Sequence, residues 1–276
     1  MPELPEVETI VRSLSPRLQG LRISSFQLLF PPLLRNENKD VLEELVGARI
    51  LAVRRRGKLI LIDCEKNLTL CFHLKMTGRI LFCPKQEPLE KHTRFIISFE
   101  DKKQELRFGD VRKFGSLLLV PTSEVLESEE LRSLGPEPLE LDFSSFCQLF
   151  KGRSARLKSL LLDQSFVAGI GNIYADEILF RARLHPLTPG SFLRKPALRR
   201  LWQSTRETLA SALAARGSSI RDYTDALGKE GNFQNFHQVY GRESLPCSSC
   251  GEKIARLRLG GRSTFFCPRC QKRKRP

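Results

Sequence analysis

Leu134-Gly135-Pro136-Glu137-Pro138-Leu139 divides this 276-residue chain. Two prolines and a glycine in six residues continue neither a helix nor a central strand, so the stretch reads as an interdomain linker over residues 134–141. Before it, apolar residues come in short β-branched and aromatic runs. After it, they recur every three to four residues, as on one face of a helix. Strand runs followed by helix runs give an α+β, multidomain chain.

Eight runs precede the linker: 22–30, 48–56, 58–63, 68–74, 79–83, 93–99, 105–108 and 115–120. Gly, Pro, Asn and Asp punctuate them, and so many short strands suggest a β-sandwich. A short helix is expected over Lys39–Val46. Ahead of the strands stands Met1-Pro2-Glu3-Leu4-Pro5-Glu6-Val7-Glu8, with Val7, Ile10, Val11, Leu14 and Leu18 on one helical face. This helix should end or kink near Pro16, with Gly20 closing the turn. Two readings of its start remain open. Prolines and acids suit a helix N-terminus. Equally, removal of Met1 makes Pro2 a terminal secondary amine, and an α-amine has a pKa of roughly 7.7–8.0, so much of it is free base near neutrality. Such an amine attacks electrophilic carbon and forms an iminium, with Glu3 beside it as a proton donor.

Beyond the linker, helices are expected over Phe143–Lys151, Ser154–Leu162, Asn172–Ala182 and Pro196–Arg216. Gly169-Ile170-Gly171-Asn172 makes a tight turn into the third of these, aiming backbone N–H groups where an anion can bind. Residues Ser219–Gln234, among them Asp222, Asp225, Gly228 and Gly231, are polar and read as a mobile loop.

The net charge is +15. A polyanion is the natural partner for such a field. The charge is also uneven: residues 247–276 carry nine Lys or Arg and one acid, whereas residues 124–142 carry seven acids and one base. With no run of eighteen apolar residues and no secretory pattern, a cytoplasmic protein is expected. Cys64, Cys71, Cys83 and Cys147 lie in apolar surroundings and read as reduced, packed thiols. Cys247-Ser-Ser-Cys250 and Cys267-Pro-Arg-Cys270, sixteen residues apart, are different. Four thiolates in two tight turns surround one Zn2+ tetrahedrally, and with every position filled by sulfur the zinc is structural. The residues between them read as a β-hairpin with arginine near its tip, suited to gripping nucleic acid.

The terminal Met-Pro-Glu-Leu-Pro-Glu-Val-Glu-Thr, the turn Gly169-Ile-Gly-Asn-Ile-Tyr-Ala175, and the segments Val239–Arg242 and Gly261–Cys267 together resemble bacterial formamidopyrimidine-DNA glycosylases, in the family's order and across nearly the whole chain. The resemblance implies a sandwich catalytic domain over residues 1–133, a helix–two-turn–helix domain over 142–235 and a zinc finger over 236–276. It implies a monomer acting on double-stranded DNA, associated with the bacterial nucleoid when bound. The implied reaction is base-excision repair: removal of 8-oxoguanine and formamidopyrimidines, then strand cleavage by β- and δ-elimination.

The resemblance also implies roles. Pro2 is the nucleophile at C1′, Glu3 protonates the ribose ring oxygen, and Glu6 is a supporting acid. Lys58 lies beside the lesion phosphate. His73, Asn172 and Arg262 grip phosphates, and Lys158 is a further DNA contact. Met76, Arg112 and Phe114 fill the gap left by the flipped base. Taken singly, Met76 and Phe114 read as core residues and Asn172 as a helix cap. Leu227 departs from the polar or acidic residue expected in relatives, which leaves preference among oxidised bases open. Two other readings share parts of this pattern: an endonuclease VIII-like glycosylase for oxidised pyrimidines, and a non-catalytic zinc-finger DNA-binding protein. The tail Lys272–Arg275 reads as a plain basic extension.

Overall fold

The structure, a computed structural model, describes residues 1–36, 40–220 and 223–273. It divides into two compact units: Met1–Arg132 with Arg216–Asn232, and Ser133–Ala215 with Phe233–Pro276.

The first unit opens with helix α1, Leu4–Leu18. Its apolar stripe of Val7, Ile10, Val11, Leu14 and Leu18 is buried in the unit's core. The helix does not stop at Pro16 but runs two residues past it. Pro16 cannot donate the helical bond to the Arg12 carbonyl, but the fully buried Leu18 still holds the last turn. Gly20 then turns the chain at φ +86°.

Eight strands follow: β1 (Ile23–Leu28), β2 (Ile50–Arg56), β3 (Leu59–Cys64), β4 (Leu68–His73), β5 (Gly78–Pro84), β6 (Thr93–Phe99), β7 (Gln104–Asp110) and β8 (Ser116–Pro121). They form two antiparallel four-stranded sheets, in the orders β1-β6-β7-β5 and β2-β3-β4-β8. The sheets meet through aromatic side chains. Phe95 and Phe108 from the first stack at 5.2 Å between centroids, and Phe72 from the second meets Phe95 edge-on at 6.0 Å. Asp40–Leu45 is a 3-10 helix rather than an α-helix, and Lys39 lies outside the described residues. Leu42 and Leu45, three apart, are its buried pair, as a three-residue period requires.

A second passage of chain completes this unit. Phe82 donates its backbone N–H to the Ala226 carbonyl (2.8 Å), and Ala226 belongs to the sandwich core. The Asp225 carboxylate is buried, accepting from the Leu227 and Lys229 N–H groups (both 2.9 Å) and pairing with Arg216. The described residues of the expected loop up to Asn232 thus belong to the sandwich unit, Phe233 and Gln234 open a 3-10 helix of the second unit, and Arg221 and Asp222 lie outside the described residues.

Short helix α2 (Glu129–Arg132) ends the first passage of the first unit; the second unit then carries α3 (Phe143–Leu149), α4 (Leu157–Leu162), α5 (Asn172–Arg181) and α6 (Lys195–Ala214). Helix α4 starts three residues later than expected, because Arg156 is held extended in a bridge to Pro189. The linker is packed into this unit: Gly135 N–H donates to the Gln164 carbonyl, and Ala168 N–H to that of Pro136. Two turns join α4 to α5. The first is closed by Ser165 donating to Asp163, and Gln164 stitches the second by bonding Ile170 O and Gly169 N–H.

Strands β9 (Ala255–Leu259) and β10 (Arg262–Phe266) make the hairpin. Gly260 and Gly261 turn it at φ +54° and +77°, the signs a tight two-residue turn demands. The finger is not a unit of its own. Val239, Cys247, Ile254 and Cys267 share a cluster with Phe180 of α5, because so short a segment buries too little surface alone. Among the described residues no helix is long and apolar enough to cross a membrane.

Candidate nucleic-acid interface

The first unit gathers its site residues at one end of the β2-β3-β4-β8 sheet. Register requires this: Arg56 pairs with Leu59, Leu59 with His73, and His73 with Ser116. Lys58 precedes β3 at that end, Met76 follows β4, and Arg112 and Phe114 precede β8. Helix α1 is fixed beside β2 by the ion pair of Glu8 with Arg55 (3.0 Å). At its start, Pro2, Glu3 and Glu6 are all buried. Glu6 accepts the Glu3 N–H (2.8 Å) with one carboxylate oxygen and the Ser218 N–H (2.8 Å) with the other. Glu6 thus joins the helix start to the second passage of chain. Gly217 is required beside it: its φ is +81°, and a Cβ there would lie 2.7 Å from a Glu6 carboxylate oxygen.

His73 accepts the Lys75 N–H at Nδ1 (2.8 Å), which leaves the ring proton on Nε2. Burial, then the ammonium groups of Lys75 and Lys58, push its pKa down to about 3. It is a neutral donor at physiological pH. Met76 and Phe114 are 46% and 50% exposed, so they are not core residues. They form one cluster with Arg112, whose Nη1 lies 3.1 Å from the Met76 sulfur and whose guanidinium sits 4.8 Å over the Phe114 ring.

In the second unit, Asn172 opens α5, but the cap position is Gly171. The Asn172 amide instead donates to the Ser263 carbonyl (3.1 Å), next to the exposed Arg262 on β10. Lys158 departs from expectation. None of it is exposed, and its ammonium bonds Asp176 (2.7 Å) and the same Ser263 carbonyl (3.1 Å). A cation so enclosed cannot reach a phosphate; it holds the finger that carries Arg262. Asp176 completes the attachment by accepting the Phe265 N–H (3.0 Å).

Sequence reasoning missed Asp176 and Glu177. Glu177 is buried and accepts the N–H groups of Gln238, Val239 and Tyr240 at 2.8–3.0 Å. Burial still holds its carboxyl above the usual range. Two acids inside an otherwise apolar helix were the available signal.

The sulfurs of Cys247, Cys250, Cys267 and Cys270 lie within 4.8 Å of one another, with separations of 3.9 and 3.5 Å across the two pairs. A tetrahedron with metal–sulfur bonds of about 2.3 Å has edges of about 3.8 Å, so the four thiols fit one metal ion. Cys64, Cys71 and Cys83 are buried free thiols, and Cys147 is half-buried.

A strand sandwich with an exposed Met76–Arg112–Phe114 cluster, joined in sequence to a helix–two-turn–helix unit carrying a four-cysteine finger, defines a class of DNA-binding folds. The chain matches the formamidopyrimidine-DNA glycosylase N-terminal domain over residues 1–117, the H2TH domain of the same enzymes over 134–224, and a zinc finger found in FPG and IleRS over 244–273. It is 44% identical to the formamidopyrimidine-DNA glycosylase of Pelotomaculum thermopropionicum, covering 99% of this chain and 100% of that one, and 45% identical to that of Desulforamulus reducens with the same coverage. Among solved structures, a mutant of the Lactococcus lactis enzyme bound to Fapy-dG-containing DNA superposes with a TM-score of 0.92 at 36% identity, covering 99% of this chain and 100% of that one. The wild-type Lactococcus lactis enzyme bound to DNA with an oxidised pyrimidine gives 0.91 at 35%, again covering 99% and 100%. The chain belongs to the formamidopyrimidine-DNA glycosylase family.

Proposed function

We propose that this protein is a base-excision DNA glycosylase with strand-cleaving lyase activity, acting on 8-oxoguanine and formamidopyrimidines in double-stranded DNA. The observation that carries the reading is the buried Pro2–Glu3 start of α1, braced by Glu6, in a chain aligned over 99% of its length with enzymes of that name.

A base stacked in a duplex must be flipped out, at a cost of a few kcal/mol. Met76 and Phe114 fill the hole and Arg112 supplies donors to the orphaned partner base. With Met1 removed, the Pro2 nitrogen bonds to C1′ as the bond to the base breaks, and the proton the amine loses offsets the charge on the departing base. Glu3 gives a proton to the ring oxygen, the sugar opens, and an iminium remains. That electron sink acidifies the C2′ hydrogen; its loss expels the 3′ phosphate, and a second elimination releases the 5′ phosphate. Lys58, His73, Asn172 and Arg262 hold phosphates and so set register without reading sequence. The four thiolates hold a structural Zn2+ that stabilises the finger and takes no part in these steps. The protein works as a monomer in the bacterial cytoplasm.

Borohydride added to processed enzyme with 8-oxoguanine duplex should trap a covalent protein–DNA adduct, and Pro2→Gly should reduce it severely. Absence of adduct from protein lacking Met1 would defeat the mechanism and favour a non-catalytic binder. A second substrate class has its own support, because the Lactococcus lactis relative was solved with an oxidised pyrimidine in its DNA. Parallel cleavage of 8-oxoguanine and thymine-glycol duplexes separates the two; faster cleavage of the pyrimidine would overturn the purine preference.

A further inference from the structure

The geometry points to Asp110 as the positioning residue of the void-filling wedge, with Thr77 as its relay; the assignment rests on the function proposed above. Asp110 ends β7 and is 1% exposed. Its carboxylate accepts from a hydroxyl and two backbone N–H groups. One oxygen accepts from the Thr77 hydroxyl (2.5 Å) and from the Arg112 N–H (3.2 Å), and the other accepts from the Gly115 N–H (2.8 Å). The Thr77 hydroxyl in turn accepts from the Arg112 N–H (3.1 Å). One buried side chain therefore grips both ends of the segment that carries Arg112 and Phe114, and ties it to the turn that carries Met76.

The surroundings fix Asp110 itself. Arg94, also buried, donates from Nε to the Asp110 carbonyl (2.9 Å). Gly115 is needed because a Cβ there would meet the Phe108 ring at 2.8 Å and the Asp110 carboxylate at 3.2 Å. Between the anchored ends the chain passes through Lys113 at φ +59°, a conformation few side chains adopt unless held. The Arg112–Met76 and Arg112–Phe114 contacts gather three exposed side chains from two turns into one cluster. A floppy wedge would spend binding energy on ordering itself at each flipping event; a held one avoids that cost.

The test uses full-length processed enzyme and two duplexes, one with 8-oxoguanine and one with a preformed abasic site. Thr77→Val deletes the relay with its shape kept, Thr77→Ser retains the hydroxyl, and Asp110→Asn replaces one acceptor with a donor. Single-turnover excision of 8-oxoguanine should slow roughly tenfold to a hundredfold in Thr77→Val and Asp110→Asn. It should return to the wild-type rate in Thr77→Ser. Borohydride trapping on the abasic duplex, where no base has to be flipped, should be unchanged in all three. Excision by Thr77→Val at the wild-type rate would overturn the assignment, as would equal losses on both duplexes, which mark general damage to the fold. Wild-type enzyme that traps on neither duplex would overturn the proposed function, and this assignment with it.

Discussion

His73 is held neutral by its surroundings, and that has a signed consequence. Its folded pKa of about 3 lies below the ordinary value near 6.5. Between those values the unfolded chain binds a proton that the folded chain refuses, so the first unit should lose stability as pH falls from about 6.5 towards 3. The ring should remain an Nε2 donor throughout physiological pH. An NMR titration should find no shift of its Cε1 proton between pH 8 and pH 5; a midpoint near 6.5 would contradict the buried, cation-flanked placement. Residues like this one separate what a sequence says from what it withholds. His73 and Arg262 are assigned to phosphates only through the resemblance; taken alone, His73 reads as a packed histidine. Lys158 is legible only as a cation; that it lies beneath the finger depends on Asp176, eighteen positions away, and on a carbonyl of β10. Asp110 carries no chemistry of its own, and nothing in its neighbours predicts that three donors converge on it.

At the scale of elements, the eight strands emerge where β-branched and aromatic runs between turn residues place them, although β3, β4 and β6 are buried on both faces and show no alternation. Boundaries move where tertiary partners intervene, as Pro189 does at the start of α4 and the core does at the end of α1. The passage over 216–232 was unreadable as part of the sandwich, since polar sequence conceals a packing role exercised through Ala226 and Glu6. That role is measurable. Glu6→Gln keeps one acceptor oxygen and sets an amide donor against an N–H, which should cost about 1–3 kcal/mol. Hydrogen exchange at the Ser218 amide should accelerate more than exchange in the centre of β3. Equal protection in mutant and wild type would show that Glu6 does not hold the two segments together.

For the whole molecule, a net charge of +15 concentrated towards the finger predicts binding dominated by phosphates. Affinity should fall steeply with salt, and Arg262→Gln should lower the slope of log K against log salt by about 1, evenly across sequences. An unchanged slope would remove Arg262 from the phosphate contacts. The division into units also bears on how the protein can be dissected. A fragment ending at Arg132 contains every strand of the sandwich yet lacks the chain that closes around Glu6.

The Glu6–Ser218 bond spans 212 residues, and on the ribosome that separation is a delay. At about 5–20 residues per second, Ser218 is made roughly ten to forty seconds after Glu6. Throughout that interval the segment that will cover the helix does not yet exist. Removal of Met1, on which the proposed nucleophile depends, thus has a window set by the order of synthesis: the helix that carries Glu6 is made long before the segment that encloses it.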